Sequence, residues 1–144
     1  MYGTVNVPGT VSALIEAVDL RAGLALRNEL RKLRDDADAM LCVLYVVDRG
    51  RCETIEYAGD RSVMPVPLPT LECSAPSLDS VRCADLDHHL VVIHAVRIGR
   101  GWPSAGLAVV DAGLAPPDVV DVVEGVGAKL EVVLVRALRV AGHR

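Results

Sequence analysis

Apolar residues recur at helical spacing at both ends of the chain and run together in short blocks between them. Val11, Leu14, Ile15, Val18, Ala22, Ala25, Leu26, Leu30 and Leu33 fall three or four apart, the spacing of one helix face. The stripe predicts a helix entered at Thr10 or Ser12 and running to about Leu33, where Asp35-Asp36 ends the pattern. Gly23 weakens that helix without interrupting the stripe. From Met40 to Val47 the chain is continuously apolar and rich in β-formers, as expected of a strand buried on both faces. Asp48-Arg49-Gly50-Arg51 carries turn chemistry, and Glu53-Thr54-Ile55-Glu56-Tyr57 alternates as a more exposed strand, so the two runs form a hairpin.

Between Ala58 and Asp87 the periodicity fades. Pro65-Val66-Pro67-Leu68-Pro69 lacks alternate amide donors and is excluded from a central strand. Residues 77–85 fit a short helix or a strand equally well. Order returns with the strand His89 to Arg97, a Gly-rich connection through Trp102, and a strand from Ala105 to Val110, an antiparallel pair. Pro116-Pro117-Asp118 opens a last helix that continues to about Ala141. Its stripe (Val119, Val122, Val123, Val126, Leu130, Val133, Leu134, Ala137, Leu138) is joined by Val120, Val132, Val135 and Val140. One apolar stripe suffices to cover a sheet. The surplus predicts a second contact, against the first helix or a second copy, with Leu14, Val18, Leu26, Val126, Val133 and Leu134 as the expected dimer interface. The fold class is therefore α+β: an antiparallel sheet with the N- and C-terminal helices packed on one face, within a single domain spanning 1–144.

Composition narrows the function classes. The chain of 144 residues is 51% apolar and 24% charged, ordinary for a globular domain, but has no Phe and only 3% aromatics. Val, Leu and Ala must fill the core. A net charge of -4 argues against nucleic acid, and the basic stretch Arg27 to Arg34 reads as a solvated helix end. The N-terminus lacks the basic start and apolar run of a signal peptide, and the apolar run 39–47 is too short to cross a bilayer. A cytoplasmic, non-membrane protein is the expectation. The four cysteines (Cys42, Cys52, Cys73, Cys83) include no CxxC pair and read as reduced thiols.

The segments Val91-Val92-Ile93-His94-Ala95-Val96-Arg97, Ser104-Ala105-Gly106-Leu107-Ala108-Val109-Val110-Asp111 and Leu114-Ala115-Pro116-Pro117-Asp118, followed by the long helix, resemble the C-terminal part of a GAF domain. The hairpin from Ala39 to Tyr57 after a first helix also fits. The resemblance implies a GAF/PAS-like, profilin-like fold and a regulatory or sensor role in signalling, exerted through homodimerisation and a separate partner protein. GAF domains build a small-molecule pocket over the sheet, in the part of the chain occupied here by residues 58–87. The Asn-Lys-x-Phe-Asp signature of cyclic-nucleotide-binding members is absent, as it must be without Phe.

Four residues are candidates to face a ligand: His94 within a strand, Cys73 and Cys83 in the middle segment, and the sole tryptophan, Trp102. Cys73, Cys83, His88 and His89 have the right chemistry for a metal but irregular spacing, and no metal site is assigned. No catalytic constellation is evident. The enzymatic alternative is suggested by one GAF branch, which reduces free methionine sulfoxide with cysteines. It would use Cys73 and Cys83 as attacking and resolving thiols.

Overall fold

The computed structural model describes residues 14–18, 22–48, 51–64, 81–86, 89–96, 98, 104–114 and 116–142. The order is helix α1 (Gly23–Ala37), strands β1 (Leu41–Asp48) and β2 (Arg51–Gly59), a 3-10 turn (Arg61–Val63), strands β3 (Val81–Leu86), β4 (His89–Val96) and β5 (Ser104–Val110), and helix α2 (Pro116–Gly142). Residues 14–18 are helical ahead of α1. The strands form one five-stranded sheet in the order β2-β1-β5-β4-β3, with every neighbouring pair antiparallel.

The continuous apolar runs become the middle of this sheet, because only strands covered on both sides can place apolar side chains up and down in succession. In β1, Cys42, Leu44 and Val46 point to the side that carries both helices. Leu41, Val43, Tyr45 and Val47 point away, into a second cluster with Val91, Ile93, Ala108 and Val110. On the helix side, α1 lies over β1 and β2, α2 lies over β4, and the two helices touch each other. Leu26, Leu30, Leu33 and Ala37 of α1 and Val123, Leu130 and Leu134 of α2 are buried there.

The structure departs from the sequence pattern in four places. The first helix is not one continuous element, because Ala22 takes a non-helical conformation (φ -135°, ψ -2°) and α1 starts afresh at Gly23, the weak position in the stripe. The first helix continues past Asp35-Asp36 to Ala37, because Ala37 prolongs the buried stripe of Leu30 and Leu33 while both aspartates stay exposed. It stops at Asp38, which adopts the left-handed conformation (φ 52°) and caps the carbonyls of Arg34 and Asp35. Residues 81–86, left open between helix and strand, form edge strand β3 paired with β4. Strand β2 is longer than its alternating core and does not alternate strictly. Pairing with β1 steps from Glu56 opposite Leu44 to Thr54 opposite Tyr45. Ile55 is left as a bulge residue, so Ile55 and Glu56 both turn toward the helices.

The expected dimer interface also needs correction. Leu14, Val18, Leu26, Val126 and Leu134 are buried within the single chain, and Val133 packs partly buried against the same core. Side chains spent on the sheet cannot form the surface presented to a partner. The apolar residues left outside are others, notably Leu24 and Val132.

Two glycines of α2 test this packing in opposite directions. A Cβ at Gly127 would lie 2.7 Å from His94 Cε1, whereas nothing lies within 4 Å of one at Gly125. Gly127→Ala is expected to destabilise by about 1–3 kcal/mol through overpacking, despite the better helix former. Gly125→Ala is expected to stabilise by roughly 0.5–1 kcal/mol. Urea unfolding measures both, and the penalty at position 127 should disappear in a His94→Ala background.

Candidate functional site

Of the four residues expected to face a ligand, His94 and the strand position of Cys83 are among the described residues. In β4, Val91 and Ile93 face the second cluster while Val92, His94 and Val96 face the helices. His94 opposes Leu107 across the ladder and is 6% exposed, its ring lying under Gly127 of α2. It therefore packs between sheet and helix rather than into a space over the opposite sheet face, and its Nδ1 makes no hydrogen bond among the described residues. Cys83 is not in a loop: it lies in β3, opposite Val92 of β4. Cys73, Trp102 and His88 lie outside the described residues. His89 is a structural residue, donating from Nδ1 to Asp111 Oδ2 at 2.6 Å, while Asp111 Oδ1 accepts from the Leu90 amide at 3.0 Å. This pair ties the start of β4 to the end of β5, where Asp111 turns the chain at φ 52°. Among the described residues no group of three His, Cys, Asp or Glu is placed to hold a metal.

What the structure does assemble is a cleft of about 470 Å³ where α1 meets the edge strand β2. It is lined by Arg27, Arg31, Arg34 and Asp35 from the helix and Glu56, Tyr57, Ala58 and Gly59 from the strand. The three arginines are four and three residues apart, so one helix face carries all of them. Their counter-charges are unequal. Arg27 Nη2 reaches Glu56 Oε2 at 3.4 Å, a side chain turned toward the helix by the bulge. Arg34 lies beside Gly59 and contributes to holding the Asp60 carboxyl below its ordinary range, after the larger effect of the Ser62 hydroxyl and amide on that carboxyl. Arg31 has no ion pair among the described residues. Against Asp35 and Glu56, the three guanidinium groups leave the lining with one net positive charge.

The floor of the cleft depends on Gly59. It adopts φ +115°, and a Cβ there would collide with the Met40 carbonyl oxygen and lie 3.0 Å from Arg34 Nε. Only glycine allows the strand to end so close under the helix. On the other side of β2, the Arg61 guanidinium lies over the Tyr57 ring, 4.9 Å from its centre. The sequence shows the arginines, but their spacing alone cannot distinguish a solvated helix end from a cleft wall. Their position opposite Glu56 and Gly59 follows from the bulge, which has no signature in residue type.

Solved structures share this architecture. A GAF domain of a putative sensor histidine kinase from Pseudomonas syringae pv. tomato superposes with a TM-score of 0.54 at 11% identity, covering 89% of this chain and 86% of that one. The fold is GAF-like. A GAF domain/HD domain protein from Geobacter sulfurreducens gives 0.53 at 13% identity, over 88% of this chain and 96% of that one. Myxococcus xanthus MglB gives 0.60 at 13% identity, over 81% of this chain and 92% of that one. No protein-family model matches the sequence, and no curated protein matches it either. In this GAF-like fold the described cleft lies at the margin of the sheet, between α1 and β2. No helix among the described residues is long and apolar enough to cross a membrane.

Cys42 supplies the test of thiol chemistry in the described core. It is a free cysteine on the helix side of β1, and burial pushes its thiol from 9.0 up to about 12, with Arg34 opposing the shift and Asp35 adding to it. A thiol held protonated in the fold is a poor nucleophile. Cys42 should resist alkylation by iodoacetamide until the protein unfolds, as read by mass spectrometry of the labelled peptides. The raised value also stabilises the fold below pH 9.0, and this contribution is lost as pH rises toward about 12, because the unfolded thiol ionises first. Urea titrations from neutral to alkaline pH should show this loss in the wild type and a shallower one in Cys42→Ala.

Proposed function

We propose that this chain is a single non-catalytic, GAF-like regulatory module spanning 1–144, cytoplasmic, that binds a small anionic molecule and acts as a homodimer on a separate partner protein. The observation that carries the ligand class is the arginine-lined cleft. Its volume of about 470 Å³ suits a small metabolite, within the ~300–1,000 Å³ of typical ligand sites. Arg27 and Arg34 are partly neutralised by Glu56 and Asp60, so Arg31 is the guanidinium most available to a carboxylate or phosphate. A planar guanidinium engages either group through two parallel hydrogen bonds. The shared fold with a GAF domain from a putative sensor histidine kinase supports the regulatory reading.

A thermal-shift panel of small dicarboxylates and phosphate monoesters tests this reading. A ligand present at about ten times its Kd adds roughly 1.4 kcal/mol, which corresponds to about 3–6 °C for a domain of this size. At least one compound should produce such a shift, and Arg31→Ala should abolish it while leaving the unliganded melting temperature nearly unchanged, since Arg31 is exposed. A panel that moves nothing, or a shift that survives Arg31→Ala, removes the cleft as the ligand site.

A further inference from the structure

The cleft between α1 and β2 has two chemically different walls. The helix wall is dominated by donors, the guanidinium groups of Arg27, Arg31 and Arg34, with Asp35 exposed to solvent at its end. The strand wall supplies acceptors. Glu56 is turned toward the helix, and its side chain is only 14% exposed. Tyr57 lines the cleft with its backbone, because its ring packs against the cluster on the opposite face of the sheet. The Tyr57 amide donates to Glu56 Oε1, whereas the Asp60 amide, three residues on, donates to Met40 on the β1 side. Backbone groups of an antiparallel strand alternate between partner and open edge. The Tyr57 carbonyl therefore faces the open edge of β2, where the cleft lies.

Glu56 has acceptor capacity to spare. A carboxylate can accept about four hydrogen bonds. Its two contacts among the described residues are both long, 3.2 Å from the Tyr57 amide and 3.4 Å from Arg27 Nη2. Close guanidinium–carboxylate bonds run at ~2.7–2.9 Å, and the Arg27 side chain is about half exposed. Such a pair is held weakly. A carboxylate stripped of most of its water and offered only long contacts is best matched by a donor that brings its own positive charge. An ammonium group set between Glu56 and the Tyr57 carbonyl finds two acceptors there. Asp35 is exposed and keeps its water, so it offers an ammonium no comparable gain. Charge balance points the same way. The lining carries one net positive charge, so its complement is a ligand with one net negative charge. A plain dicarboxylate brings two and leaves Glu56 facing an anion.

We infer that the cleft selects zwitterions carrying an ammonium together with two carboxylates or a phosphate. Glu56 and the Tyr57 carbonyl receive the ammonium, and Arg31 and Arg34 receive the acid groups. This rests on the arginine cleft as the ligand site and adds to it the class of ligand and the residue that sets the class. Acidic amino acids and aminoalkyl phosphates share this chemistry.

Calorimetric titration of the full chain compares matched pairs: aspartate with succinate, glutamate with glutarate, and phosphoethanolamine with ethyl phosphate. Each pair is run on wild type, Glu56→Gln and Arg31→Ala, with circular dichroism to confirm that each variant is folded. In at least one pair the amino compound is expected to bind wild type about tenfold or more tightly than its partner. The carboxylate and phosphate pairs show which acid group is preferred. Glu56→Gln should remove the preference and strengthen binding of the desamino compound, since it takes an anion out of the cleft. Arg31→Ala should abolish binding of both. If no compound binds, the cleft is not an anion site and the zwitterion reading is lost with it. If desamino compounds bind through Arg31 as tightly as their amino partners, the arginine cleft stands and this inference is overturned. A preference that survives Glu56→Gln unchanged also overturns it, because Glu56 is then not its source. The wild-type pairs decide the ligand class without recourse to any variant.

Discussion

The structure depends on sealing two central strands, β1 and β5, on both faces. Successive residues of β1 from Leu41 to Val47 are all buried, odd positions to one side and even positions to the other. A sheet edge or a solvated face cannot accommodate such a run, so covering layers have to form on each side. The two helices provide one of them. With the centre of the sheet committed to packing, the arginine-lined space among the described residues falls at its margin, where helix α1 overhangs edge strand β2. Site and core are thus built from the same helix: Leu26, Leu30 and Leu33 hold α1 down, and Arg27, Arg31 and Arg34 occupy the adjoining face.

That margin is electrostatically uneven. Arg27 is held by a carboxylate delivered by a bulge, and Arg34 is shared with the ordered carboxyl of Asp60 just beyond the strand. Arginines in the last turns of a helix also offset its negative C-terminal dipole. These partners account for much of the basic stretch as stabilisation of the helix itself. Arg31 lies between the two neutralised positions with no such partner among the described residues, which makes it the residue where structural need and available charge diverge.

Much of the fold could be read from residue order. The apolar block at 40–47, the strand pattern from His89 to Arg97 and the Pro-Pro-Asp entrance to α2 each correspond to one regular element, and the two terminal helices do share one face of an antiparallel sheet. Three kinds of information were not legible. The bulge at Ile55 arises from ladder register, which no single residue type encodes. Strand β3 carries Arg82, Cys83 and Asp85 at the sheet edge, too mixed for a period to emerge. The third is direction: a surplus of valine on α2 signals a second contact, but only the buried set shows which valines remain free. For that reason Val126 and Leu134 looked like interface residues and Val132 did not. The candidate site was half visible, because the arginines are adjacent in sequence while the strand residues that turn them into a cleft lie more than twenty positions away.

The contact between Gly127 and His94 limits how α2 can move. The imidazole fills the notch left by the missing side chain, so the helix sits on the sheet like a rod held by a pin. Sliding by one turn, about 5.4 Å, would bring Val123 or Glu131 over the ring in place of glycine. Neither residue leaves room for it. Displacements along the helix axis are therefore opposed unless the ring first swings aside. The register of α2 on the sheet is thus tied to the rotamer of one imidazole.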